Sequence, residues 1–477
     1  MKDLHHYIAG RWAAASGREA PYAVINPATE RAVAQILMGS AADVNVAVQA
    51  ARAAFPAFAA SSLDERIAYV QRLRAVFERR YADMVVAIST EMGAPHDLSS
   101  KSQAACGPGH IDATIEAARQ LDWEARVGRV SNVVREPIGV CGLITPWNWP
   151  INQIMAKLAP ALVAGCTVVL KPSEQAPLSA QLIAEFVDEA GLPLGVFNLV
   201  HGSGTVVGAA MSTHADIDMI SFTGSTRAGV SVAVAAAPTV KRVTQELGGK
   251  SANIVFADAD LPAAIADGVR SCFNNTGQSC NAPTRMLIEA SVYDRAVELA
   301  VAAARATKVG DPSQPGDHIG PLASRMQFDK VQACIAAGIA EGATLVAGGP
   351  GRPEGLPVGY FVRPTLFANV HNQMRVAREE IFGPVLCLMR FDTLEQAVSI
   401  ANDTPFGLAA YVQSGDLSKA RVVARRLRAG SVHINGAAQG YAEPFGGYRE
   451  SGNGRECGVY GLLEFLELKS INGYYAA

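Results

Sequence analysis

The sequence lacks several features that mark specialised protein classes. No apolar run in its 477 residues approaches the thickness of a bilayer, so we expect no membrane-spanning segment. Its 41 basic and 44 acidic residues are interspersed and leave a net charge of −3, which argues against a nucleic-acid or membrane-surface partner. The opening residues, MKDLHHYIAGRW, lack the basic and apolar pattern of a signal peptide, so a cytoplasmic location is expected.

Paired or clustered cysteines are also missing. The eight cysteines are scattered, with no C-x-x-C and no histidine or cysteine cluster at zinc spacing, which argues against a disulfide framework and predicts no metal site. Most of them fit the usual role of a small buried hydrophobe. Cys280 differs, because the stretch FNNTGQSCNAPTR (273–285) surrounds it with small polar residues. It is either a loop thiol without a role or a reactive one.

The length and composition predict two or three ordinary globular domains. The N-terminal part is predicted to be helical: Ser40 and Asp43 have capping-box spacing, and residues 63–90 continue the helical pattern. Strand-length apolar runs then alternate with helices at 151–164 and 177–190, which predicts a parallel sheet covered on both faces. The runs are GVCGLIT (139–145), TVVLK (167–171), VFNLV (196–200), DMISF (218–222) and RVTQEL (242–247).

Unusual polar residues follow each of these strands. Asn148 comes after the first, Lys171 and Glu174 after the second, HGSG and TGSTRAG after the next two, and Glu246 ends the fifth. Open α/β sheets bind ligands beyond the carboxyl ends of their strands. These residues therefore predict a nucleotide site along this rim of the sheet. The alternative for Glu246 is a solvated glutamate at the end of a strand.

A second alternation of strands and helices follows. Strands are expected in ANIVF (252–256), TRMLIE, GYFVRPTLF, FGPVLCLMRF, GLAAYVQ and SVHIN, with a first helix at about 260–275. Cys280 lies in the loop after that helix, 34 residues beyond Glu246. The two side chains would therefore meet only across a cleft between domains, where cofactor enzymes commonly work.

Seven motifs together resemble the NAD(P)-dependent aldehyde dehydrogenases. They are PWNWP, KPSE, FTGST, QELGGKS, FNNTGQSC, EEIFGP and PFGGYRESGNGRE, and the likeness covers residues 8–470. The resemblance implies an α/β fold with two Rossmann-like domains and a small bridging β-sheet. It implies a NAD-binding domain (1–118 and 138–247), a catalytic domain (248–465) and oligomerisation segments (119–137 and 466–477). A homodimer or homotetramer follows from the bridging sheet.

The same resemblance implies the chemistry. An aldehyde has no leaving group, so hydride departs from an adduct with a thiolate, and Cys280 matches that nucleophile. The Asn148 amide and the Cys280 backbone N–H match the oxyanion donors, and Glu246 matches the base that hydrolyses the thioester. Lys157 and Glu456 match a proton exit path, with a structural salt bridge as the alternative. The presence of Glu246 favours a free acid over a coenzyme A ester.

Cofactor and substrate residues carry over in the same way. A carboxylate at Glu174 would repel a 2′-phosphate, so NAD is expected over NADP, which stays possible. Arg227 replaces a glutamate of many relatives, and Ala156 replaces a bulky aromatic, which suggests a wide aldehyde tunnel. The expected cofactor residues are Thr145, Pro146, Trp147, Lys171, Ser173, Glu174, Gly204, Phe222, Gly224, Ser225, Leu247, Gly248, Glu380 and Phe382. The expected tunnel residues are Trp149, Gln153, Phe273, Ser279, Asn281, Tyr441 and Phe445.

The motifs are closest to a bacterial branch associated with ω-oxo acids and semialdehydes. A medium or long, aromatic or carboxylated aldehyde is the expected substrate, although these motifs contain no arginine placed to bind a remote carboxylate. Two other functions stay open at this stage. One is a thiol esterase that uses Cys280 and Glu246 without a nicotinamide, and the other is a catalytically silent NAD-binding or structural homologue.

Overall fold

Short apolar runs form the strands of two large sheets in a computed structural model that describes residues 2–476. The first sheet has the order β20-β12-β11-β8-β9-β10-β2-β3, and its five middle strands are parallel. Its strands are β2 His6–Ile8, β3 Arg11–Ala13, β8 Val140–Ile144, β9 Thr167–Lys171, β10 Phe197–Leu199, β11 Met219–Thr223, β12 Arg242–Glu246 and β20 Gly452–Asn453. The predicted parallel sheet is confirmed.

The second large sheet has the order β15-β16-β17-β14-β13-β18-β19 and is parallel except at β15. Two three-stranded sheets, β1-β5-β4 and β21-β7-β6, complete the strands. The remaining bounds are β1 Lys2–Leu4, β4 Tyr22–Asn26, β5 Arg31–Ile36, β6 Glu124–Val127, β7 Ser131–Pro137, β13 Ala252–Val255, β14 Arg285–Glu289, β15 Thr344–Ala347, β16 Thr365–Ala368, β17 Val385–Phe391, β18 Ala409–Gln413, β19 Ser431–Ile434 and β21 Leu466–Ile471.

Helices cover the large sheets, and apolar residues of both kinds of element share the cores. The helices are α1 Ala41–Ala59, α2 Leu63–Arg79, α3 Tyr81–Met92, α4 His96–Leu98, α5 Cys106–Gln120, α6 Pro150–Ala164, α7 Pro177–Glu189, α8 Ala209–Thr213, α9 Thr226–Ala236, α10 Leu261–Phe273, α11 Tyr293–Ala306, α12 Arg325–Ala340, α13 Arg375–Arg378, α14 Leu394–Asn402, α15 Leu417–Arg426 and α16 Gly458–Glu464. Within residues 2–476, none of them is long and apolar enough to cross a membrane.

Local sequence signals explain several helix ends. Ser40 caps α1, and Asp43 returns a hydrogen bond to the Ser40 backbone, so the predicted capping box is present. Gly165 ends α6 with φ +98°, a conformation that suits a residue without a Cβ atom. The helical pattern of 63–90 is divided at Arg80, which separates α2 from α3.

Two sequence predictions need correction. The segment before Ser40 is not helical but contains β1 to β5, because its short strands pair at sheet edges and carry few apolar residues in a row. Within GYFVRPTLF the strand begins only at Thr365, since Pro364 has no N–H to donate to a ladder. The helix expected at about 260–275 is α10, which ends at Phe273, before the Cys280 loop.

The chain returns to the first sheet near its end. β20 pairs antiparallel with β12, with Glu246 opposite Gly452, and α16 packs against α5 and α6. Residues 452–464 therefore pack with the first sheet, although the resemblance places them in a catalytic domain at 248–465. The small sheet is as expected, since β21 pairs with β7 along its length, from Leu466 opposite Pro137 onwards.

A buried carboxylate fixes the start of α7. Glu91, on α3, is fully buried and accepts hydrogen bonds from the backbone N–H groups of Leu178 and Ser179 and from the Ser179 hydroxyl. These N–H groups have no partner within their own helix, so Glu91 caps α7 from another element. Because α7 follows Lys171 and Glu174 directly, Glu91 anchors the segment that carries them.

This arrangement predicts a pH dependence of stability. Burial outweighs the hydrogen bonds and raises the pKa of Glu91 from 4.5 to about 8. Unfolding therefore releases a proton between these values, and stability falls as the pH rises from about 5 to 8. Relative to Glu91→Gln, which does not titrate, the wild type should lose roughly 1 kcal/mol or more of unfolding free energy over this range.

Denaturant unfolding at several pH values measures this difference. Glu65→Gln is a suitable control. Glu65 is an exposed residue that caps α2, and its hydrogen bonds with Ser62 lower its pKa, so it does not titrate between pH 5 and 8. A difference between wild type and Glu91→Gln that stays constant from pH 5 to 8 would contradict the prediction.

Candidate functional site

A cavity of about 290 Å³ lies between the carboxyl ends of the first large sheet and the loops that lead into the strands of the second. Its walls include side chains from both halves of the chain, so neither sheet alone forms it. The cavity is lined by Pro146, Trp147, Asn148, Gln153, Thr223, Gly224, Ser225, Glu246, Leu247, Gly248, Cys280, Met326, Gln327, Lys330, Glu380 and Phe382. Twelve of these sixteen residues are among those predicted from the sequence.

The loop after α10 turns sharply to bring Cys280 to this cavity. Asn275 and Thr276 have φ values of +52° and +57°, and Gly277 has φ +71°. A Cβ atom at Gly277 would lie 2.2 Å from the backbone of Gly383, so glycine is required there. The loop is tied down by Gln278, whose Oε1 atom accepts a hydrogen bond from the Ala323 N–H at 2.9 Å.

Cys280 is half-buried at the wall of the cavity. Burial raises the pKa of its thiol well above the usual range, and the nearby carboxylates of Glu380 and Glu246 act in the same direction. The resting sulfur is therefore a neutral thiol near pH 7. A base is needed to generate the thiolate.

Asn148 is held beside Cys280 by the same loop. Its Nδ2 atom donates to the Gln278 backbone carbonyl at 3.0 Å, and the Asn148 backbone carbonyl accepts from Asn275 Nδ2 at 2.9 Å. One N–H of the Asn148 amide is thus used to fix its orientation. The second N–H is free to donate to an oxygen atom bound in the cavity.

Glu246 ends β12 and is buried at the back of the cavity. Its Oε2 atom has no hydrogen-bond partner among the described residues. A Cβ atom at Gly446 would lie 2.6 Å from Glu246 Oε1, so the glycine leaves room for the carboxylate. Burial, with Glu456 nearby, raises the pKa of Glu246 well above its ordinary value.

Lys157 and Glu456 form a buried ion pair behind Glu246. The ammonium group contacts Glu456 Oε1 and donates to the Thr223 hydroxyl at 2.7 Å. Thr223 also borders the cavity, so a polar chain links the cavity to the pair. The structure thus brings Lys157 and Glu456 together, as both of the sequence interpretations require.

A second carboxylate, Glu380, lines the same cavity from the loop between α13 and β17. Its Oε1 atom accepts the Gly249 N–H at 3.0 Å, and a Cβ atom at Gly248 would lie 2.6 Å from Oε2. Phe382 follows with φ +61°, and its ring meets Trp147 edge-on at 5.5 Å. Gln327 fixes this turn, because its Nε2 atom donates to the Phe382 carbonyl at 2.8 Å.

A separate polar group lies at the end of β9. Glu174 accepts hydrogen bonds from Lys171 Nζ at 3.1 Å and from the Gly204 N–H at 2.8 Å, so its carboxylate is held in place. Ser173 caps the same turn by accepting the Gln175 N–H. Thr145 and Phe222 are buried beneath the rim, and the Thr145 hydroxyl has no partner among the described residues.

The predicted tunnel residues divide into two groups. Trp149 Nε1 donates to the Ser279 hydroxyl at 2.8 Å, and the Asn281 carbonyl accepts from the Tyr411 hydroxyl at 2.9 Å, so these residues flank Cys280. Phe273 forms the second group, and its place in the tunnel stays a prediction. Its ring is 1% exposed and packs in the core beside α10, because it continues the apolar face of that helix.

Four residues of the cavity were not predicted. Thr223 belongs to the FTGST motif, in which its neighbours Phe222, Gly224 and Ser225 were predicted. Met326, Gln327 and Lys330 lie on the first turns of α12, and they are ordinary helix residues more than 40 positions beyond Cys280. No local pattern distinguishes them from other surface positions. Arg227 is exposed on α9, and nothing in the structure explains the departure.

The residues fit a nicotinamide dinucleotide. Gly224 and Ser225 place the open start of α9 at the cavity, where free N–H groups favour phosphate. Gly248 has no side chain to cover Glu380, and Glu174 is held in place by its hydrogen bonds with Lys171 and Gly204. Within residues 2–476, no group of three or more histidine, cysteine, aspartate or glutamate side chains could hold a metal ion.

Comparisons with known proteins agree with this geometry. The profile of the "Aldehyde dehydrogenase family" matches residues 12–471. The chain is 54% identical to a Pseudomonas 3-succinoylsemialdehyde-pyridine dehydrogenase over 477 residues, 99% of each chain. It is 50% identical to an aldehyde dehydrogenase structure from Bartonella henselae, with TM-score 0.97 and coverage of 99% and 100%. A Pseudomonas syringae AldC mutant with NAD⁺ and octanal is 52% identical, with TM-score 0.98 and coverage of 99% and 97%.

Proposed function

This chain belongs to the aldehyde dehydrogenase family, and we propose that Cys280, Asn148 and Glu246 are the residues that carry out its NAD-dependent oxidation of an aldehyde to a carboxylic acid. The observation that supports this assignment is that all three side chains border one cavity although they come from distant parts of the chain. Bound NAD supplies the hydride acceptor. The chain's own residues supply the nucleophile, the oxyanion donors and the base.

In the first half-reaction, Cys280 loses its proton to a base and its sulfur attacks the aldehyde carbon. The C=O π electrons move to oxygen, and the resulting alkoxide is stabilised by the free N–H of Asn148 and the backbone N–H of Cys280. As the C=O bond re-forms, hydride leaves carbon and a thioester remains on Cys280. Glu246 is the base we assign to the thiol proton.

In the second half-reaction, Glu246 takes a proton from water as the water attacks the thioester. The C–S bond breaks, which releases the carboxylic acid and returns the Cys280 thiolate. The unpartnered Oε2 atom supports this role, since Glu246 borders the cavity and this atom has no hydrogen-bond partner among the described residues. Lys157 and Glu456 would carry the thiol proton away from Glu246 before hydrolysis and the water proton after it, so that the carboxylate can accept each in turn.

For the substrate, we propose a medium or long, aromatic or ω-oxo aldehyde. The support is twofold. The resemblance to the family implies that Ala156 replaces a bulky aromatic of several relatives, and the relatives described above carry a pyridine semialdehyde name or a bound octanal. We also propose that the small sheet of β21, β7 and β6 pairs through an edge strand with a second copy in a homodimer or homotetramer, because β7 already has partners on both sides. Light scattering would detect a monomer, which would contradict this assembly.

The experiment measures NADH or NADPH formation with propanal, octanal, benzaldehyde and a semialdehyde. We expect turnover with NAD to exceed turnover with NADP, because the fixed Glu174 carboxylate repels a 2′-phosphate. Glu174→Gln should raise the NADP to NAD ratio of kcat/KM about tenfold. Glu19→Gln is the control, since Glu19 contacts nearby Ser203 but not Lys171. Formation of no reduced cofactor with any aldehyde would contradict the proposed function.

A further inference from the structure

Gln153 is a buried polar residue on α6 that takes no part in the reaction steps described above. It lines the same cavity as Cys280, and it is only 3% exposed. Its Oε1 atom has no hydrogen-bond partner among the described residues. Burying an acceptor without a donor is unfavourable, because its hydrogen bond to bulk water is lost and nothing replaces it. We therefore expect a molecule bound in the cavity to supply the donor.

Gln153 lies on the face of α6 that joins the nucleophile's loop to the base. Gln153 and Lys157 follow the capping residue Trp149 at intervals of four, so the three share one face of the helix. At one end of this face, Trp149 donates to the hydroxyl of Ser279, which directly precedes the nucleophile, at 2.8 Å. At the other end, Lys157 belongs to the buried ion pair behind Glu246. Gln153 is therefore placed between the nucleophile and the base.

Glu246 Oε2 is a second unpartnered acceptor that belongs to this cavity. When Glu246 is in its basic form, neither this atom nor Gln153 Oε1 can donate a hydrogen bond. A water molecule has two O–H groups, so one water can donate to both atoms. The lone pairs of its oxygen then point away from the two acceptors. They are available to attack a carbon atom held on Cys280.

We propose that Gln153 holds the hydrolytic water beside Glu246 and orients it toward the thioester. This inference rests on the proposed function, in which Glu246 takes a proton from that water. The water oxygen bonds to the thioester carbon, the C=O π electrons move to oxygen, and one water proton passes to Glu246. The second O–H keeps its hydrogen bond to Gln153 Oε1 and stays with the product. When the C=O bond re-forms, the C–S bond breaks and its electron pair leaves on the Cys280 thiolate.

The test replaces the amide with an apolar side chain of similar length. Gln153→Met removes the acceptor, so we expect the steady-state kcat with octanal and saturating NAD to fall about 10- to 100-fold. Thioester formation uses no water, so the first NADH per active site should still form at the wild-type rate. Stopped-flow absorbance would show it as a burst before the slow steady rate.

Gln181→Met is the matched control for this substitution. Gln181 is also a buried helical glutamine, but it does not line the cavity. Its Oε1 atom already has a hydrogen-bond partner, His201 Nε2 at 3.0 Å. Thioester hydrolysis by Gln181→Met should therefore match that of the wild type.

Hydroxylamine distinguishes a misplaced water from a damaged site. It is a stronger nucleophile than water and attacks the thioester in its place, so it should restore most of the steady rate of Gln153→Met. If Gln153→Met does not fold, Gln153→Asn decides. Its shorter side chain draws the amide back from the water and should give the same burst and the same rescue.

Unchanged hydrolysis in Gln153→Met would overturn the proposal, and so would a lost burst that hydroxylamine does not restore. An effect confined to the KM for octanal would also overturn it, because Gln153 would then act in substrate binding. Failure of the proposed function is distinct, since the wild type itself would then form no NADH from octanal.

Discussion

Cys280→Ser should reduce aldehyde oxidation by at least about 10³-fold while NAD binding is retained. A serine hydroxyl is a far weaker nucleophile than a thiolate. Because burial raises the pKa of the Cys280 thiol, even the native nucleophile needs a base to remove its proton. The thiol lies in the cavity wall but does not support the neighbouring strands, so the fold should persist. NADH formation and NAD binding by calorimetry measure the two properties separately.

Cys457→Ser is the matched control for this variant. Cys280 and Cys457 are the two half-buried cysteines among the described residues, and Cys457 follows Glu456 directly. Because the Cys457 thiol does not border the cavity, its replacement should keep most of the activity. Equal losses in the two variants would contradict the assignment of Cys280 as the nucleophile, and so would a Cys280→Ser protein that retains turnover.

Glu246→Gln should separate the two halves of the reaction. In this variant, thiolate that is present at high pH can still attack one aldehyde and form the thioester on Cys280. The thioester then persists, because its hydrolysis needs Glu246 as the base. We expect a burst of about one NADH per active site, followed by a steady rate roughly 10² to 10⁴-fold below that of the wild type. Stopped-flow absorbance resolves the burst from the steady rate.

The pH profile gives an independent measure of the same residue. Burial raises the pKa of Glu246, so its basic form is lost as the pH falls through that raised value. In the wild type, the steady rate should therefore increase as the pH rises, and the Glu246→Gln variant should lack this dependence. Glu380→Gln is the control carboxylate in the same cavity and should keep hydrolysis. Full steady-state turnover by Glu246→Gln would exclude it as the base.

The sequence predicted the alternating core well because each buried strand is a continuous apolar run between glycine- or proline-containing turns. The strands before Ser40 were missed for the opposite reason. His6–Ile8 and Arg11–Ala13 pair at the edge of the first sheet, and Arg11 and Trp12 are exposed, so no apolar run marks this hairpin. The evidence for this hairpin is the pairing of its two strands, which is seen only in the three-dimensional structure.

The residues of the candidate site that belong to distinctive motifs were predicted. The ordinary helix residues that complete the site were missed. Cys280, Glu246 and Asn148 stand in distinctive stretches, and the structure brings them to one cavity. Gln327, which holds the Phe382 turn, resembles any polar residue near the start of a helix. For Phe273, adjacency to the Cys280 loop in sequence does not decide which way the ring points, and the ring packs in the core beside α10.

The pairing of β20 with β12 has a consequence for the order in which the protein is made. During synthesis, the five middle strands of the first sheet emerge from the ribosome about 200 residues before Gly452 and Asn453, which close its edge beside Glu246. At the usual 5–20 residues per second, this is an interval of roughly 10 to 40 seconds. Throughout it, the outer edge of β12, the edge away from β11, is unpaired and open to chaperones or to other nascent chains. A polypeptide released early would therefore contain the whole nucleotide-binding rim yet lack a finished site.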